Sequence, residues 1–169
     1  MFEVFLLLSL LLILICIVYI SVKIGISPMP SSFKAAYKMN EISLSLEKDT
    51  VADLGSGFGF LALYFALKNP KVKIIGYETS FFPWFFSICL KYVFNCKNLY
   101  FYKENYLDID IPEDYLIICF LFPKGMDLLE VKLKSLENSV ISNTFSFKTK
   151  EPIQTHILDD LYKTKIYLY

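Results

Sequence analysis

Three glycines, Gly55, Gly57 and Gly59, stand between two apolar stretches, and no other feature of the chain restricts its fold as much. Ahead of them residues 50–54 (TVADL) read as a short buried strand. Behind them residues 60–68 carry the apolar run of a helix, closed by Asn69 and Pro70. Glycine lacks a Cβ, so a strand can turn sharply into a helix there and let a ligand lie against the backbone. The unpaired N–H groups of the helix's first turn face that same point. Residues 73–78 read as the next strand, ending on Glu78, nineteen residues after Gly59. A carboxylate in that position can accept hydrogen bonds from both hydroxyls of a ribose. A glycine triplet alone says little; with strand, helix, strand and terminal acid in register it says much more.

The rest of the chain continues the alternation. Residues 27–32, rich in Pro and Ser, form a hinge, and a helix is expected over 33–46 with Ser32 as its N-cap. A helix over 82–94 follows the second strand, then strands at 99–103 and 115–122, the latter a continuous apolar run typical of a doubly covered parallel strand. A helix over 127–136 and strands at 140–147, 154–158 and 165–169 complete the pattern. Seven strands alternating with helices predict an α/β, Rossmann-like fold with a mostly parallel seven-stranded sheet. That domain is expected to occupy residues 27–169.

Residues 1–26 are read as a separate element. Residues 4–22 carry no charge over nineteen positions. As a helix such a run spans a hydrocarbon core of about 30 Å. The flank before it holds Glu3 and no Lys, and no small-x-small site follows it, which favours an uncleaved transmembrane anchor over a signal peptide. Lys23, Lys34 and Lys38 lie on the far side, so the domain is expected on the cytoplasmic face of a bacterial inner membrane.

Composition narrows the partners. The formal charge is zero and every basic side chain is Lys. Without a basic field, and without Arg for bidentate contacts, nucleic acid is not an expected partner. Cys16, Cys89, Cys96 and Cys119 form no CxxC pair, and His156 is the sole histidine, so no metal site is expected.

Two classes of adenosine-containing cofactor compete for the glycine loop. A dinucleotide fingerprint needs a small residue where Phe60 stands. The sequence is instead Asp53-Leu54-Gly55-Ser56-Gly57-Phe58-Gly59, an acid, an apolar residue and then GxGxG. It resembles the first motif of class I S-adenosylmethionine methyltransferases, in which an acid near the cationic sulfonium is favourable. Pro28-Met29-Pro30-Ser31, Gly76-Tyr77-Glu78, Phe122-Pro123-Lys124-Gly125-Met126 and Phe145-Ser146-Phe147 extend the likeness to the membrane-anchored lysine methyltransferases of mitochondria and their bacterial relatives. The family's Asp-Gly-Arg after the loop is Phe58-Gly59-Phe60 here, and the expected Asn-Pro after Glu78 is replaced by residues 79–84.

The resemblance implies S-adenosylmethionine as cofactor and methyl transfer to a lysine of a protein in the same membrane. It implies that Asp53, Gly55, Ser56, Gly57, Gly59 and Glu78 hold the cofactor, with Asn105 near its adenine and Phe122 and Pro123 lining the acceptor channel. Methylation of a lipid or small molecule, or a tethered module that keeps the fold without catalysis, are the alternatives. The aromatic run at 81–86 could pack in the core, meet the bilayer or receive a substrate helix.

Overall fold

The computed structural model describes residues 31–134 and 137–169. In chain order it contains α1 (Phe33–Leu44), β1 (Thr50–Leu54), α2 (Phe60–Lys68), β2 (Lys73–Tyr77), α3 (Phe81–Val93), β3 (Leu99–Tyr102), β4 (Leu116–Cys119), α4 (Pro123–Lys132), β5 (Val140–Asn143), β6 (Gln154–Ile157) and β7 (Lys165–Leu168). The expected anchor at 4–22 and the division after residue 26 lie outside the described residues. Among the described residues no helix is long and apolar enough to cross a membrane.

The seven strands form one sheet in the order β3-β2-β1-β4-β5-β7-β6. The first five run parallel; β7 is antiparallel to both β5 and β6. The strand order reverses beside β1, where Asp53 lies opposite Gly76 on one side and Ile118 on the other. In open sheets of this kind the crevice outside the strand ends at such a reversal takes the ligand.

Burial explains why β1 and β4 are central. Leu116 and Ile118 enter one core and Ile117 and Cys119 the other, all fully buried. The first core is closed by α1, α2 and α3, around Met39, Phe65, Ile74 and Leu99; each large side chain so buried contributes roughly 1.5–3 kcal/mol. The second is closed by α4 through Met126 and Leu129. No helix intervenes between β3 and β4. Tyr106, Ile109, Ile111 and Tyr115 from that loop pack against the α4-side core instead, and Lys132 Nζ ties the loop down by donating to the carbonyls of Leu107 (3.2 Å) and Ile109 (2.6 Å). Tyr100 and Tyr102 of edge strand β3 stay exposed as a result.

Local signals hold at most boundaries. Ser32 Oγ accepts the Ala35 N–H at 3.2 Å, the expected N-cap of α1. Several boundaries differ. The chain leaves the sheet after Cys119 and α4 starts at Pro123, four residues earlier than expected, because the fixed φ and missing N–H of proline suit the first helical position. β5 stops at Asn143, since Thr144 takes φ +69° and turns the chain away.

Candidate active site

The glycine loop is tied to the end of β2 by its own backbone. The N–H groups of Gly55 and Ser56 both donate to the Tyr77 carbonyl at 2.9 Å, and Gly59 N–H closes a turn on the Ser56 carbonyl at 2.8 Å. Gly59 opens α2 with φ +79°, and a Cβ on it would lie 2.6 Å from Phe101 Cζ and 2.7 Å from Ser87 Cβ. Gly57 has φ +53° but differs in one respect: a Cβ there would meet nothing within 4 Å. Its α-carbon faces open space, which is what a ligand pressed against the loop requires.

Glu78 lies directly across. Its Oε2 accepts the Gly57 N–H at 2.9 Å, and its Oε1 accepts the Ser80 N–H at 2.7 Å, just ahead of α3. Each carboxylate oxygen keeps acceptor capacity beyond these bonds. The two features that the sequence places at opposite ends of a strand–helix–strand unit therefore share one crevice.

Behind the loop, Asp53 is almost fully buried and its Oδ2 has no partner. Burial pushes its carboxyl up to about 7; the Ala62 backbone N–H offsets part of that, and the Glu78 carboxylate adds to it. Ser56 Oγ is likewise buried without a partner. A buried acid that lacks a counter-charge is costly, and a cation in this crevice would relieve it. The β4 end reaches the same place: a Cβ on Gly55 would sit 2.7 Å from Leu121 Cδ2. Phe122, the next residue, is half-buried at the N-cap position of α4, and Pro123 follows, exposed. Nearby Cys119 is no nucleophile, because burial drives its thiol up to about 12.

Asn105 has a different local job. Its Oδ1 accepts the Leu107 N–H at 3.1 Å and its Nδ2 donates to Asp108 Oδ2 at 3.0 Å, an Asx-type turn after β3. Three contributors lie outside the sequence reading. The Tyr77 carbonyl and Ser80 N–H act through backbone, which has no residue signature; Phe101, wedged under Gly59 and Gly76, could have been found from its inward position on β3. An open hollow beside Pro70 and Phe94–Asn98 lies at the opposite, N-terminal end of β2 and β3 and brings no catalytic cluster together. Among the described residues no group of His, Cys, Asp and Glu could hold a metal ion.

Strand order, helix placement and the glycine turn define the seven-stranded Rossmann-like fold of class I methyltransferases. An RNA methyltransferase from Salinibacter ruber, solved in complex with S-adenosyl-L-homocysteine, is similar with a TM-score of 0.72 and 21% identity, over 83% of this chain and 92% of that one. PKMT2 from Rickettsia typhi, in complex with AdoHcy, is similar with a TM-score of 0.54 and 21% identity, over 69% of this chain but only 27% of its own. An uncharacterized protein from Listeria monocytogenes serotype 4b gives a TM-score of 0.62 at 16% identity, over 82% and 67% of the two chains. No family model matches the chain, and no curated protein matches it in sequence.

Proposed function

We propose that the domain binds S-adenosylmethionine in the crevice between the glycine loop and Glu78 and transfers its methyl group to an acceptor entering at the end of β4. The observation that carries this reading is the 2.9 Å bond from Gly57 N–H to Glu78 Oε2, which brings loop and acid together and leaves open space beside the Gly57 α-carbon. The two similar folds solved with S-adenosyl-L-homocysteine or AdoHcy support it. The residues fit the cofactor: an orphaned buried acid awaits a cation, and an accessible carboxylate awaits hydroxyls.

When bound, the cofactor supplies a methyl group on a positively charged sulfur, a strong electrophile. The chain's task is then positioning. Glu78 accepts from the ribose hydroxyls, Gly55, Ser56, Gly57 and Gly59 give the backbone surface, and Asp53 provides negative charge toward the sulfonium. Asn105 keeps one amide N–H and one carbonyl lone pair beyond its turn for the adenine. Phe122 and Pro123 line the acceptor path and exclude water. Orienting the reactants in this way accounts for roughly 7–11 kcal/mol of barrier in favourable cases, so no dedicated nucleophile is required.

The preferred acceptor is a lysine of a membrane protein, with residues 4–22 as the tether and the domain on the cytoplasmic face of a bacterial inner membrane. A tether raises the effective concentration of an acceptor in the same bilayer without any new contact. Lipid or small-molecule methylation, and a binding module without turnover, are the competing readings. Incubating membranes with methyl-labelled cofactor and the full chain separates them: label in protein supports the first, label in the lipid extract or in RNA replaces it, and binding without label leaves the module.

A further inference from the structure

The open end of the sheet carries a ridge of exposed aromatic rings that the crevice does not use. Phe58 and Phe60 meet Phe86 edge to face, with ring centroids 5.4 and 6.0 Å away. The first turn of α3 adds Phe81, Phe82 and Phe85, with Phe81 stacked on Phe85 at 6.0 Å. Phe82 is 65% exposed, Phe85 54% and Phe81 52%. Positions 81, 82, 85 and 86 share one outward face of the helix. A continuous exposed apolar surface of this kind marks an interaction site rather than ordinary scatter.

The ridge and the chain's entry point lie at the same end. α2 and α3 start where β1 and β2 end, so their first turns border the glycine loop. Asn143 Nδ2 donates to Ser31 Oγ at 3.1 Å, and Asn143 is the last residue of β5, so the chain arrives at the C-terminal edge of the parallel strands. Phe33, highly exposed at the start of α1, meets Tyr64 of α2 edge-on at 6.2 Å.

We infer that this ridge is a bilayer-contact surface that seats the glycine-loop end of the domain on lipid, so that the acceptor crevice opens toward the membrane. The inference rests on the tether proposed above. Residues 23–30 are all that separate the uncharged run at 4–22 from Ser31. Eight residues reach at most about 28 Å, and Pro28 and Pro30 stiffen them. With the run inserted, this leash holds the open end of the sheet beside the lipid, where the phenylalanines stand. Lys103 Nζ lies 5.6 Å over the Phe81 ring, placing beside the ridge a cation of the kind that can meet lipid headgroups. The acceptor is then a group at the membrane boundary.

Trp84, the only tryptophan of the chain, reports on the ridge directly, since it lies 5.9 Å from Phe81. The full chain is reconstituted in phosphatidylcholine vesicles with brominated or unbrominated acyl chains, floated, and its emission recorded with and without aqueous iodide. The expected result is co-flotation, with Trp84 emission lost to brominated lipid and little affected by iodide. Loss should be greater when the reporter is moved to the tip, by Phe82→Trp in a Trp84→Phe background. A chain that floats but is quenched by brominated lipid at neither position overturns the ridge and leaves the tether standing. Protection from iodide without bromine quenching means protein covers the ridge, and overturns it too. A chain that does not float removes tether and ridge together. Titrating S-adenosylhomocysteine into the same vesicles reads the cofactor site separately from either.

Discussion

Glu78 and Gly57 belong to different strand-to-helix connections, yet the Gly57 N–H points at Glu78 Oε2 across 2.9 Å. The same carboxylate, through Oε1, receives the Ser80 N–H and fixes the start of α3. One side chain thus braces the loop that contacts a ligand and the helix that borders it, while keeping lone pairs for the ligand's hydroxyls.

Glu78→Ala should weaken S-adenosylhomocysteine binding by on the order of 1.5–3 kcal/mol, the usual worth of hydrogen bonds to a charged group. Glu78→Gln, which keeps the acceptor oxygen, should fall between. Isothermal titration of the full chain measures both, and an unchanged affinity in Glu78→Ala takes this residue out of the site.

Asp53 gives a pH signature to stability. Its carboxyl stands at about 7 in the folded protein against 3.8 in a model peptide, chiefly through burial. The folded state therefore holds an extra proton between those values, and stability falls as pH rises from about 4 to about 7 and stays reduced above that. Asp53→Asn removes the penalty. Ligand-free Asp53→Asn should be the more stable protein at pH 8, by up to about 4 kcal/mol, with the advantage vanishing toward pH 4. Chemical denaturation at the two pH values checks it; equal differences at both would exclude the assignment.

The same residue separates S-adenosylmethionine from its demethylated product. A sulfonium near Asp53 favours the ionised carboxylate, so binding releases a proton. Affinity for S-adenosylmethionine should then rise as pH increases toward about 7, by no more than about tenfold per unit for one proton, and level off above it. S-adenosylhomocysteine, with a neutral sulfur, should show a flatter profile. Parallel pH profiles for the two would place Asp53 away from the sulfur.

Gly59→Ala and Gly57→Ala should fail differently. At Gly59 the new methyl meets Phe101 and Ser87 in a left-handed backbone, so a loss of about 2–4 kcal/mol of stability is expected. At Gly57 the space is open, and only the backbone strain of about 1–2 kcal/mol applies. Ligand affinity should nevertheless fall, because the methyl occupies the surface the ligand needs. Thermal unfolding and titration of both variants distinguish a packing glycine from a contact glycine.

Much of this architecture was legible because its signals are local. The triplet at Gly55, Gly57 and Gly59, the buried strand 50–54 and the acid at Glu78 each obey a short-range rule; the order of the strands is set by long-range pairing and appears only in the fold. The apolar pattern alone does not show the boundaries at Cys119 and Asn143, because Leu121, Phe122, Phe145 and Phe147 are as apolar as any strand residue; Pro123 opening α4 and the left-handed turn at Thr144 set them. Asn105 fits the sequence pattern of an adenine contact and also of a turn; the turn bonds to Leu107 and Asp108 appear only in three dimensions. The aromatic run at 81–86 shows how a helix divides one motif: Pro83 is buried, whereas Phe81, Phe82, Phe85 and Phe86 face outward.

The central claim is that one crevice, walled by the glycine loop and Glu78, takes an adenosine. Amide chemical shifts of the isotopically labelled full chain, followed as S-adenosylhomocysteine is added, test it most directly. The largest changes should fall on residues 55–59 and 78–80, with smaller ones on 103–106 and 121–122. Saturating ligand that leaves Gly57 and Ser80 unmoved, or shifts only residues at the opposite end of the strands, would contradict the account.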